Sequence, residues 1–155
     1  MSPDPYVDKL LDQDLPCKDK LPVRAKVSCV LHARSAARGL ELCPFPSRAV
    51  LKHEIHELIL TTEDAAPGKT VNNISYLCFF ELLQSGMLWV GDRVEVNGKL
   101  IGYLAGYDFS HLPNHMNMIV QVKGDLRTGY ELGLKPDDEI VFVFVHGKRN
   151  WQTII

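Results

Sequence analysis

The chain has no apolar run near the ~20 residues that a membrane-spanning helix needs, no Cys-x-x-Cys pair and no surplus of basic residues. The first absence argues against a transmembrane helix. The opening Met1-Ser2-Pro3-Asp4-Pro5-Tyr6 also lacks the basic start and apolar stretch of a secretory signal, so a cytoplasmic protein is expected. The four cysteines, Cys17, Cys29, Cys43 and Cys78, are far apart. Neither a zinc knuckle nor a redox dithiol is indicated, and reduced structural thiols are expected. With 17 Lys and Arg against 19 Asp and Glu, the net charge is −2. Binding a phosphate backbone needs a local excess of cations, so no nucleic-acid partner is expected. Gly-rich phosphate loops are missing too. Pro67-Gly68-Lys69-Thr70 has the tail of one, but Glu63 stands where its first glycine would be.

What is present is an ordinary globular composition, 46% hydrophobic and 23% charged over 155 residues. A single domain of this size buries about two-thirds of its unfolded surface. Residues 1–21 read as an N-terminal arm, with Val7, Leu10 and Leu11 at helical spacing, and residues 22–155 as the body. In residues 23–31, Val23, Ala25, Val27, Cys29 and Leu31 alternate with Arg24, Lys26 and Ser28, the pattern of a half-buried strand. Residues 32–48, with Gly39, Pro44 and Pro46, read as a loop. Residues 49–62 fit either a helix or a strand, and a strand is preferred because no cap introduces a helix. Residues 74–83 predict a strand buried on both faces, and 87–90 another. Asn97-Gly98 between residues 93–96 and 99–104 predicts a two-residue hairpin turn, because both positions then take positive φ. Residues 116–123 and 139–145 complete the strands, with one helical turn expected over 129–134. So many strands with short connections predict a small antiparallel β-barrel, with a β-sandwich or cupin-like roll as the alternative.

Two segments carry resemblances that bear on this choice. Gly86-Met87-Leu88-Trp89-Val90-Gly91-Asp92-Arg93-Val94-Glu95-Val96 is similar to a run in the second, β-barrel domain of translation elongation factors. Glu131-Leu132-Gly133-Leu134-Lys135-Pro136-Asp137-Asp138-Glu139-Ile140 resembles the turn-and-strand segment of cradle-loop and swapped-hairpin barrels. Both resemblances imply a barrel and neither implies an activity.

Four of the six histidines fall in two clusters, Lys52-His53-Glu54-Ile55-His56-Glu57 and Asp108-Phe109-Ser110-His111-Leu112-Pro113-Asn114-His115-Met116-Asn117. Neutral imidazole is a common metal ligand and, near neutrality, a general acid or base. The second cluster is the stronger candidate, because a turn there lets His111 and His115 converge. His53 or His56 is then the expected further ligand of one divalent metal, zinc or iron, with an open coordination position. Without a metal, Asp108 is expected to orient one histidine of a catalytic group Asp108, His111 and His115. Tyr76, Tyr103, Tyr107, Asn114 and Asn117 are candidate substrate-binding residues. Glu54 and Glu57, and also Arg34, Arg38 and Arg48, read as solvated charge, and His32 and His146 as surface residues. The leading expectation is a small enzyme acting on a polar metabolite by hydrolysis, hydration/elimination or isomerisation. The rival is a non-catalytic ligand-binding or assembly domain. A homodimer joined through 76–80 or 141–145 is a further expectation.

Overall fold

In the computed structural model, residues 20–145 are described. The expected N-terminal helix (Val7, Leu10, Leu11) and His146 lie outside them. The described residues form twelve strands and no helix. In chain order they are β1 (Val23–Val30), β2 (Arg34–Ser35), β3 (Leu40–Glu41), β4 (Ser47–Val50), β5 (Ile55–Thr61) and β6 (Thr70–Val71), then β7 (Ile74–Leu82), β8 (Gly86–Trp89), β9 (Arg93–Val96), β10 (Lys99–Asp108), β11 (Asn117–Gln121) and β12 (Glu139–Val143). The protein is therefore mainly β and built on one eight-stranded sheet. Within that sheet the pairings β1–β12–β9–β10–β11–β5–β7 return to β1, so seven strands form a closed ring of ladders. Closure gives each of these seven strands a paired neighbour on both sides.

Alternation explains the interior. Val23, Ala25 and Val27 of β1 face inward with Leu58, Leu60, Phe80, Leu82, Val94, Leu104, Met118, Val120, Ile140 and Phe142. The alternation stops at a register shift between Val27 and Cys29. Cys29, expected on the buried face, is exposed, and Val30 packs on the core in its place. On the outer face, residues of β3 and β6 and their flanks lie over the sheet. Leu40, Leu42, Ala65 and Val71 cover Ile59, Ala105 and Ile119 in a second apolar cluster.

The Asn97-Gly98 hairpin forms as expected, with φ of 49° and 79° and Val96 opposite Lys99. Gly102 sits where β10 shifts register against β9. A Cβ there would lie 2.3 Å from the carbonyl oxygen of Gln121, so only glycine permits this approach.

Two expectations are corrected. The ring is not wholly antiparallel, because β5 and β11 run parallel. Residues 49–62 are two strands, β4 and β5, separated by a turn in which His53 has φ 75°. Residues 129–134 make the single turn expected there, Leu132 N–H donating to Thr128 O and Leu134 N–H to Gly129 O, and it does not extend into a helix. Thr128 and Glu131 cap this turn reciprocally, each backbone N–H donating to the other's side-chain oxygen. Gly133, with φ 74°, turns the chain out of it.

Candidate metal centre

The site starts from one row of residues across four ladders. Asp108 on β10 stands opposite Asn117 on β11, Asn117 opposite Glu57 on β5, Glu57 opposite Phe79 on β7, and Phe79 opposite Cys29 on β1. Glu57 follows His56, and successive strand residues point to opposite faces. His56 therefore packs edge-on to Phe80 of the interior, while Glu57 is on the outer face, 4% exposed.

The segment 109–116 folds back over this row. Leu112 N–H donates to Phe109 O, and the N–H groups of Asn114 and His115 both donate to His111 O. These bonds wind one helix-like turn, and residues four apart on such a turn share a face. His111 and His115 consequently meet, with Nδ1 of the first 3.2 Å from Nε2 of the second. The same Nε2 is 3.1 Å from Oε2 of Glu57. One donor atom from each of Glu57, His111 and His115 lies within 4.8 Å of the other two, a group that could hold a metal ion. Glu57 is buried, His115 half-buried and His111 exposed, so one side of the cluster faces solvent. Phe79 meets the His115 ring edge-on at 5.0 Å, and Asn114 Oδ1 lies 3.1 Å from His115 Nδ1.

Burial pushes the Glu57 carboxyl above its ordinary range, and the lowering pull of His115 does not cancel that push. At Asp108 the balance is reversed. Burial there also raises the carboxyl, but hydrogen bonds from Ser110, Asn117 and the Glu41 backbone outweigh it and hold the group below its usual value. Asp108 Oδ1 accepts from Ser110 N–H and Asn117 Nδ2 at 3.0 Å each, and Oδ2 from Glu41 N–H at 3.0 Å. These bonds, not a histidine, take up the carboxylate. Asp108 shapes the turn that carries His111 and His115, and it does not orient either ring.

The other expected residues are distributed unevenly. Tyr76 stands beside the cluster, its hydroxyl accepting from Arg38 Nε at 3.0 Å. Arg38 Nη2 in turn lies 3.3 Å from His111 Nε2. Asn117 is on the floor of the site, and its Oδ1 is buried without a hydrogen-bond partner among the described residues. Tyr107 is not at the site. It is fully buried in the interior with its hydroxyl 3.3 Å from Pro46 O, and burial drives its phenol well above the ordinary value. Tyr103 lies on β10 toward the other end of the ladder, opposite Gln121.

His53 and His56 do not join His111 and His115. His53 is exposed in the turn before β5, 2.9 Å from Glu81. His56 faces inward, and its Nδ1 accepts the Met116 N–H at 3.0 Å. Burial, ahead of the opposing pull of Glu54, depresses its pKa and keeps the ring neutral. His56 therefore acts at one remove. Together with the Glu57 N–H bond to Met116 O, it fastens the residue that follows His115. The thiols of Cys43 and Cys78 are not candidates either, since burial raises both.

Two members of the site carried signals that sequence reasoning passed over. Glu57 is a carboxylate inside the apolar run Ile55-His56-Glu57-Leu58-Ile59-Leu60, and Arg38 adjoins the glycine that enters β3. A separate cavity of about 270 Å³ lies at the other end of these strands, with Leu60, Ile101 and Val122 as its floor and Lys99, Lys123 and Arg127 at its rim. It contains none of the clustered donors. Among the described residues no helix is long and apolar enough to cross a membrane.

No curated protein and no solved structure matches the chain. Residues 17–143, which span every strand of the ring, match DUF6917, described as a family of unknown function, and the chain belongs to that family.

Proposed function

We propose that Glu57, His111 and His115 bind one divalent metal, zinc or iron, and that the ring of strands is a small β-barrel carrying this centre on its outer wall. On this reading the protein is an enzyme for a small polar metabolite. The spacing of the donor atoms carries the proposal. Metal–ligand bonds of about 2.0–2.2 Å put neighbouring ligand atoms roughly 3.0–3.5 Å apart in octahedral or tetrahedral geometry. The contacts of 3.2 Å and 3.1 Å fall in that interval. His115 Nε2 carries either one proton or one lone pair, yet it meets both His111 Nδ1 and Glu57 Oε2. A cation between the three would satisfy all of them at once.

Two imidazoles and one carboxylate on one side of an ion leave its other positions open, the arrangement of non-haem iron and catalytic zinc sites. Such an ion supplies Lewis acidity to water or to a substrate oxygen. The chain supplies the rest. Asn117 offers an unfilled acceptor on the floor, Tyr76 and Arg38 line one side, and Phe79 shields the His115 ring from water. Hydrolysis, hydration/elimination and isomerisation are the reaction classes this chemistry suits.

The test is metal analysis of protein purified without a histidine tag, followed by Glu57→Gln, His111→Ala and His115→Ala variants. A stoichiometric metal, lost in each variant while the circular dichroism spectrum is kept, is the expected result. Wild-type protein with no bound metal and no saturable uptake of Zn²⁺ or Fe²⁺ would overturn the reading and leave a non-catalytic domain.

A further inference from the structure

Arg38 is a half-buried cation at the edge of the cluster, and among the described residues it pairs with no carboxylate. Its two side-chain contacts are a phenol and an imidazole. Nε donates to the Tyr76 hydroxyl at 3.0 Å, and Nη2 reaches His111 Nε2 at 3.3 Å. The backbone behind it is fixed as well, with Arg38 N–H donating to Asn72 O and Gly39 N–H to Asn72 Oδ1. The guanidinium is thus held at its Nε corner, and its Nη groups lie beside the solvent-facing side of the donor cluster.

We infer that this site takes a small oxyanion, a carboxylate or phosphate group, bound between the metal and Arg38. The inference rests on the metal reading above and adds the ligand class. Charge gives the first reason. A divalent ion with one carboxylate and one guanidinium leaves two uncompensated positive charges in a partly desolvated pocket, and an anionic ligand offsets them. Hydrogen-bond inventory gives the second. Guanidinium has donors only, so its contact with His111 Nε2 needs that nitrogen to be the acceptor. Once His111 Nδ1 is committed to a cation, the single ring proton sits on Nε2, and two donors face each other. Arg38 Nη2 then needs another acceptor, and the open side of the cluster is where a bound oxyanion would provide one. Nη1 and Nη2 together present a fork that matches two oxygens of such a group.

The experiment uses the full chain loaded with Co²⁺, whose visible spectrum reports changes at the ion, titrated with acetate and with inorganic phosphate. Wild type is expected to change its spectrum saturably with at least one of the two anions, and the stronger response identifies the group preferred. Arg38→Ala is expected to keep Co²⁺ affinity within a few-fold and to weaken the anion at least tenfold. Arg38→Lys should recover part of that loss, because it restores charge without the fork. Tyr76→Phe should weaken the anion less, since it frees the guanidinium without removing it. Equal anion affinity in wild type and Arg38→Ala would overturn the inference and leave the metal reading intact. So would an anion that binds metal-free protein as tightly as loaded protein. Failure to take up Co²⁺ at all would remove the metal reading and this inference with it.

Discussion

His56 and Glu57 are consecutive on β5, and they show how differently the two faces of one sheet treat a polar side chain. Inside the ring, His56 is kept neutral among apolar neighbours, gives its lone pair to the Met116 N–H and packs against Phe80. Outside, Glu57 is as deeply buried, but its neighbours are Asn117, His115 and the turn that carries His111. The interior closes over the His56 ring and leaves its Nε2 without a hydrogen bond among the described residues, 3.8 Å from Glu54 Oε2. The outer row leaves donor atoms of three residues aimed at one point and an acceptor of Asn117 unfilled. Burial alone therefore does not mark a site. Nor does an unfilled polar atom by itself, since His56 Nε2 and Asn117 Oδ1 share that condition; what marks the site is the convergence of donor atoms from three residues.

Substitutions along the two faces should separate these roles. The largest loss of stability is expected from the inner side, where Phe80→Ala opens a cavity in the main core and should cost about 3–5 kcal/mol in urea denaturation. Metal uptake by the molecules that remain folded should persist. On the outer row, Asp108→Ala leaves the Glu41 and Ser110 N–H groups and the Asn117 amide without their acceptor, a loss of about 2–3 kcal/mol. Because that carboxylate also shapes the turn, its removal should weaken metal binding together with stability. Glu57→Gln should dissociate the two properties. Stability should stay within about 1 kcal/mol, as a buried charge contributes little net stability. Metal affinity, measured by competition with a chelator, should fall by more than the ~10–100-fold typical of residues one layer further out.

The smallest effect is acid-dependent. The Asp108 carboxyl is held below its ordinary 3.8, so between the folded and unfolded values the unfolded chain binds more protons. Its contribution is complete above 3.8 and is lost as pH falls through the folded value. The stability gap between wild type and Asp108→Asn should accordingly be flat near neutrality and shrink in strong acid. A gap that widens in acid would contradict the assignment.

Local chemistry explains which features could be read from the amino-acid order. Asn97-Gly98 dictates its own turn, and β1 announces itself by alternation until the register shift after Val27, which no residue type signals. His111 and His115 met because a spacing of four residues in a turn brings side chains together whatever surrounds it. Glu57 could not be recognised in the same way. A carboxylate beside a lysine-bearing turn looks solvated until β11 is known to lie alongside, and no local rule pairs residue 57 with residue 117. Arg38 was hidden for a related reason, since its neighbours Tyr76 and His111 come from β7 and from the turn after β10 and are brought to it only when residues 36–44 lie across the sheet. His53 was misplaced because a positive φ at a histidine has no signature. The interior position of Tyr107, by contrast, follows from register alone, and register on β10 is set by irregularities near Gly102 and Gly106.

The parallel alignment of β5 with β11 has one more consequence. Strands that run the same way cannot be the two arms of a hairpin, so the carboxylate and the imidazoles must come from distant stretches of polypeptide. Severing the chain at the exposed Asn97-Gly98 turn would put Glu57, Arg38 and Tyr76 on one fragment and both clustered imidazoles on the other. For two such pieces, a shared ion would be a cross-link as well as a cofactor, and chelation would be a means of parting them.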